Sequence, residues 1–123
     1  MDLRLAGQTA IVTGASRGIG RAIAECLSRE GMRLVLTARS AALLDEVAAA
    51  CPGETWVFPA DLREPSVPAD LVAFAVDRAG ALDHLVNNAG ATRRGPFLDL
   101  SEADWQDGFS LKFYGAVRCA RAA

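Results

Sequence analysis

Three glycines fall within eight residues in Thr13-Gly14-Ala15-Ser16-Arg17-Gly18-Ile19-Gly20, directly after the β-branched run Thr9-Ala10-Ile11-Val12-Thr13. Glycine allows a tight turn and lets backbone approach a ligand, and the free N–H groups that open a following helix attract an anion. Strand, glycine turn and helix in that order make a phosphate cradle. The spacing here is G-x-x-x-G-x-G. Two cations accompany it, Arg17 inside the turn and Arg39 just after Leu34-Val35-Leu36, and a guanidinium pairs well with phosphate oxygens. Asp61-Leu62 follows a third apolar run, Thr55 to Phe58, and Asn87-Asn88-Ala89-Gly90 follows a fourth, Leu82 to Val86.

These residues need a scaffold that brings four run ends together. The runs are short and continuous, which predicts buried strands of a parallel sheet. Between them lie helical patterns. From Ile19 the apolar positions Ile23, Cys26 and Leu27 predict one helix face, with Gly31 as its stop. Ser40 caps a second helix carrying Leu43, Leu44 and Val47, which breaks at Pro52-Gly53. Pro65 and Pro68 predict an irregular connection before a third helix, whose buried face is Leu71, Phe74 and Ala75 and whose end is Gly80. Ser101-Glu102-Ala103-Asp104 has the S-x-x-D form of a helix start, and the helix runs on from there. Trp105, Phe109 and Phe113, four residues apart, are assigned to the core. The alternation predicts an α/β doubly wound parallel sheet with four strands and flanking helices. Residues 1–123 read as one domain.

Composition narrows the classes. The 123 residues include 13 Lys plus Arg against 15 Asp plus Glu, a net charge of −2, so nucleic acid and anionic membrane are not expected partners. Cys26, Cys51 and Cys119 are widely spaced, and there is a single His84, so neither a disulfide framework nor a metal site is expected. A soluble protein in a reducing, cytoplasmic setting fits best. His84 is given no role, and Arg93 and Arg94 are read as a solvated loop.

Thr13 to Gly20 resembles the T-G-x-x-x-G-x-G fingerprint of the short-chain dehydrogenase/reductase family, and Asn87 to Gly90 resembles its N-N-A-G motif. Asp61 falls where that family places the acid that meets adenine. The resemblance implies a nicotinamide cofactor bound by Gly14, Ser16, Arg17, Gly18, Ile19, Gly20, Arg39, Asp61, Leu62, Asn88, Ala89 and Gly90, with Asn88 as a contact and Asn87 structural. It implies a Rossmann-type sheet, incomplete here with its four strands in the order 3-2-1-4, and residues 1–123 as the N-terminal portion of a longer dinucleotide-binding domain. It further implies oxidation or reduction of a small-molecule carbonyl/alcohol pair and a homo-oligomeric whole protein. NAD-using relatives carry an acid at the end of the second strand, where this chain has Ala38 followed by Arg39, so NADP(H) is favoured over NAD(H).

Two departures bear on activity. The family's Ser and Tyr-x-x-x-Lys do not occur in these residues; Tyr114 with Arg118 lies upstream of that position and is treated as a decoy. The chain alone is therefore expected to be inactive. In the helix after N-N-A-G, Trp105 and Gly115 match the family, but its Asn is replaced by Lys112, the only lysine beside 12 arginines. Lys112 is the sole catalytic candidate within the chain. The alternative function is a nucleotide-binding or regulatory module that never catalyses.

Overall fold

The sheet explains itself from the strands outward. In the computed structural model, which describes residues 1–123, β1 (Thr9–Thr13) is buried at every position and lies between β2 (Arg33–Ala38) and β4 (His84–Val86). β3 (Thr55–Pro59) pairs with the far side of β2, so the order is β3-β2-β1-β4, all parallel. This is the Rossmann-type arrangement that the sequence predicts. Side chains of successive strand residues alternate between faces. Accordingly Ala10, Val12, Leu34 and Leu36 enter one core and Ile11 and Val35 the other. Helices α1 (Gly18–Arg29) and α2 (Ala41–Ala50) contribute Ala24, Leu44 and Val47 to the first. Helices α3 (Val67–Ala79) and α5 (Ala116–Ala122) contribute Leu71, Val72, Ala75 and Cys119 to the second.

Several local predictions hold for the stated reasons. Ser40 Oγ accepts from Leu43 N–H at 3.2 Å and opens α2. Gly80 ends α3 with φ +79°, in the left-handed region that favours glycine. Ser101 and Asp104 form a reciprocal capping box at the start of α4 (Glu102–Phe109). The backbone and hydroxyl of Ser101 hold the Asp104 carboxyl below its ordinary range against the opposing effect of desolvation, with Arg93 adding to the shift.

Other expectations are corrected. Ile19 and Cys26 are exposed, and the buried seam of α1 is Gly20, Ala24 and Ser28, because small residues let this helix lie close to the glycine turn. Phe74 is only half-buried, stacked on Phe58 at 5.0 Å. Pro68 lies inside the first turn of α3, where its missing N–H costs nothing. β4 begins at His84 and not at Leu82, and as an edge strand it is only partly buried. Trp105, Phe109 and Phe113 are 42%, 53% and 53% exposed, so they are not core. The core side of that segment is instead Gly108, Gly115 and Cys119. Between α4 and α5 the chain widens into a π-helical stretch, Ser110–Gly115, which the apolar spacing did not foretell. No helix is long and apolar enough to cross a membrane.

The central strands should carry most of the stability. Leu36→Ala, at a fully buried site, is expected to cost about 2 to 5 kcal/mol by denaturant unfolding, whereas Val76→Ala on the outer face of α3 stays within about 0.5 kcal/mol.

Candidate functional site

A cleft of about 1010 Å³ opens along the carboxyl ends of the strands. Its lining brings together Gly14, Ser16, Arg17 and Ile19 after β1, Arg39 after β2, Asp61 and Leu62 after β3, and Asn88, Ala89 and Gly90 after β4. Lys112 from the π-helical stretch also faces it. Gly18 and Gly20 do not line the cleft; they shape the turn behind it. Gly18 has φ +60° and Gly14 φ +64°. At Gly20 a Cβ would sit 2.1 Å from the Gly14 carbonyl oxygen, so no larger residue fits between helix and turn.

The turn is held by residues from both strands. Thr13 Oγ1 donates to the Val86 carbonyl at 3.2 Å and accepts from Asn88 N–H at 3.0 Å and Ala89 N–H at 2.9 Å. In return the Asn88 side-chain amide donates to the Thr13 and Gly14 carbonyls, each at 3.2 Å. The structural task that the sequence reading gave to Asn87 therefore falls on Asn88. Asn87 is exposed at the cleft rim. The role of Thr13 was missed, since a threonine at a strand end carries no signal of its own.

The first turn of α1 offers its N–H groups to the cleft. Arg17 at the N-cap has an extended backbone and makes no side-chain cap, and no acidic residue occupies the first turn. The positive end of the helix is thus left for an external anion. The side chains around it reinforce this. Five cations line the cleft, Arg17, Arg39, Arg63, Arg94 and Lys112, against the single acid Asp61, in a chain of net charge −2. Of these only Arg63 is in an ion pair. Arg94 had been read as solvated loop; it is exposed but faces the cleft, whereas Arg93 turns away to Asp104 at 3.3 Å.

Arg63 was not foreseen. Its Nε and Nη2 form a fork on the Asp107 carboxylate at 2.8 and 3.3 Å, and its Nη1 lies 3.4 Å from Asp61 Oδ1. Burial pulls its pKa down, but the hydrogen bond to Asp107 and the two acids more than offset this and leave it raised. The partner is 44 residues away in sequence, beyond any local signal. The stem of Lys112 runs beside Gly90, with its Cγ 3.5 Å from where a Gly90 Cβ would lie.

A phosphate cradle, an acid after β3 and an amide-bearing loop after β4 agree with one family pattern, and the model of short chain dehydrogenases matches residues 8–123. The chain belongs to the short-chain dehydrogenase family. Its relatives include L-xylulose reductase of Bos taurus, 36% identical over 121 residues, which cover 98% of this chain and 48% of that protein. Gluconate 5-dehydrogenase of Gluconobacter oxydans is 41% identical over 108 residues, 84% of this chain and 41% of that one. Among solved structures, L-sorbose reductase from Gluconobacter frateurii, complexed with NADPH and L-sorbose, superposes with a TM-score of 0.93 at 33% identity. That match covers 99% of this chain and 48% of the other. The chain spans about half the length of the relatives it matches. The four strands of this chain and their loops superpose on the corresponding half of the L-sorbose reductase structure.

The Thr13 hydroxyl gives a direct test of the turn. Thr13→Val keeps the shape but leaves the Ala89 N–H without its acceptor, while the Asn88 N–H keeps the Val86 carbonyl at 3.1 Å. It should cost about 1 to 3 kcal/mol in denaturant unfolding, and Thr13→Ser restores most of this.

Proposed function

We propose that the protein is an NADP(H)-dependent oxidoreductase acting on a small-molecule carbonyl/alcohol pair, and that residues 1–123 are the N-terminal, dinucleotide-binding part of its domain. The observation that carries this is the cleft: five cations and one acid around an uncapped helix N-terminus, at the strand ends of a short-chain dehydrogenase. When bound, the nicotinamide group supplies the hydride that is given or taken. The chain's own residues bind and orient. The N–H groups at the start of α1 and the Gly14–Gly18 turn would hold the pyrophosphate, and Ser16 and Ile19 line the cleft beside that turn. Asp61 and Leu62 meet the adenine. Asn88, Ala89 and Gly90 face the cofactor from the β4 side while Asn88 keeps the turn rigid.

Preference for the 2′-phosphate rests on charge. Ala38 offers no carboxylate to a free ribose diol, and Arg39 beside it is exposed, lines the cleft and has no ion-pair partner. Arg17 supplies a second cation. The relative crystallised with NADPH is consistent with this choice. A homo-oligomeric whole protein in the cytoplasm, with Cys26, Cys51 and Cys119 kept as thiols, completes the reading.

The alternative, a nucleotide-binding module without catalysis, is the reading in which Lys112 does no work in a proton path. Lys112 stands where the family has its Asn, and Tyr114, the only tyrosine, lies beneath the Arg118 guanidinium at 5.4 Å. Tyr114 is not proposed as a proton donor. Lys112, facing the cleft, is instead proposed to act within the proton path of the active protein.

Fluorescence titration should show NADPH bound more tightly than NADH, and Arg39→Ala should reduce that preference about 10- to 100-fold. Equal affinities in the wild type would refute the cofactor assignment. Carbonyl reduction should require more than residues 1–123, which alone are expected to bind NADPH without turnover; turnover by them would remove the need for a Tyr and Lys elsewhere. In the active protein, Lys112→Met should lower kcat by a larger factor than it weakens NADPH binding. An unchanged rate would make Lys112 a surface residue.

A further inference from the structure

We propose that Arg63 is a positioning residue for adenine recognition, tying the Asp61 carboxylate to α4 through Asp107. The inference rests on the reading that Asp61 meets adenine, and adds a residue that neither the motif nor the family pattern supplies.

The turn after β3 starts the argument. Glu64 N–H donates to the Asp61 carbonyl at 3.2 Å, and Arg63 N–H donates to Asp61 Oδ1 at 3.0 Å, which folds residues 61–64 into a tight turn. Arg63 Nη1 adds a second donor to the same oxygen. Both donors use Oδ1, and Oδ2 makes no hydrogen bond within the chain while the residue lines the cleft. One carboxylate oxygen is anchored and the other is presented. A carboxylate free to rotate would share its orientations among solvent and the Arg63 donors; anchoring one oxygen fixes the plane of the other.

Anchoring requires that Arg63 itself be fixed. Its side chain is 18% exposed, against 58% for Asp107, and the fork of two N–H donors on Asp107 sets the plane of the guanidinium. Asp107 belongs to α4 and does not line the cleft. Beside this pair, Leu62 is buried and packs where a Cβ on Gly115 would lie 3.6 Å from Leu62 Cβ, so the turn is also seated against the segment that follows α4. A partly exposed ion pair adds little to stability. Its effect here is geometric, on the acid at the adenine end.

The test separates positioning from direct contact, because Arg63 also faces the cleft and Asp107 does not. In the wild type, Arg63→Met, Arg63→Lys and Asp107→Asn, dissociation constants are measured for NADPH, for 5′-AMP and for nicotinamide mononucleotide, with thermal unfolding alongside. Arg63→Met and Asp107→Asn should each weaken NADPH and 5′-AMP about 5- to 10-fold, the loss of about one well-placed hydrogen bond, and leave nicotinamide mononucleotide unchanged. Arg63→Lys, lacking the fork, should fall between. Thermal midpoints should move by only a few degrees. A normal 5′-AMP affinity in Asp107→Asn with a loss in Arg63→Met would make Arg63 a direct contact and overturn the proposal. Equal weakening of all three ligands would overturn it too, as would no weakening. Failure of the wild type to bind NADPH or 5′-AMP would instead refute the proposed function.

Discussion

The close approach of α1 to the end of β1 sets the conditions for everything at the cleft. It exists because Gly20 has no Cβ: any would meet the Gly14 carbonyl at 2.1 Å and the Asn88 amide nitrogen at 2.5 Å. Gly14 is confined in the same way, its absent Cβ lying 2.9 Å from Ala89 Cα. With the helix so near, the loop after β4 can reach over the turn, and the Thr13 hydroxyl and Asn88 amide satisfy the backbone groups that this packing takes from water. The turn is thereby rigid before any ligand arrives. Preorganisation of this sort lowers the ordering cost of binding a flexible anion.

Electrostatics then acts on a fixed frame. A chain with more acids than bases concentrates five cations and one acid around the mouth of a helix dipole. The arrangement has a cost, since like charges repel, and Arg17, Arg39, Arg94 and Lys112 have no ion-pair partner to relieve it. Away from the cleft, Arg21 pairs with Glu25 at 2.8 Å and Arg33 with Glu54 at 3.7 Å, while Arg4, Arg29, Arg118 and Arg121 are scattered without ion-pair partners. The convergence of four unmatched cations on one cleft is what an anionic ligand supplying the counter-charge would require.

What the sequence made legible was local or nearly so. Thr9–Thr13 with its glycines, Ser40 before Leu43 and the Ser101–Asp104 box are patterns within a few residues, and each is found where it was expected. Buried strands alternating with helices were enough for a doubly wound parallel sheet, because parallel crossovers allow few arrangements, and the family resemblance supplied the strand order. What was not legible depends on distant partners. Arg63 and Asp107 meet across 44 residues, and Thr13 gains its role only when β4 lies beside β1. The Trp105, Phe109 and Phe113 spacing was read as core because a stripe of period four identifies one face of a helix and says nothing of whether that face is covered. The bracing role of Asn88 was hidden for a related reason, since adjacent residues in an extended loop point in different directions that composition does not reveal.

The segment from α4 to α5 ties these findings together. Asp107 holds Arg63 and through it the acid after β3; five residues later Lys112 lies against Gly90 after β4; three further on, Gly115 meets Leu62. One helical segment thus touches the loops after both outermost strands of the sheet. In a regular α-helix, residues 107 and 112 would be separated by about 500°, whereas a π-helical stretch turns less per residue and shifts every following side chain around the axis. The wider turn at Ser110–Gly115 therefore sets the relative direction of the two contacts, Asp107 toward the β3 end and Lys112 toward the β4 end. Straightening it would preserve one contact by displacing the other, so the irregular stretch couples the spacing of the cleft's two ends to a single element.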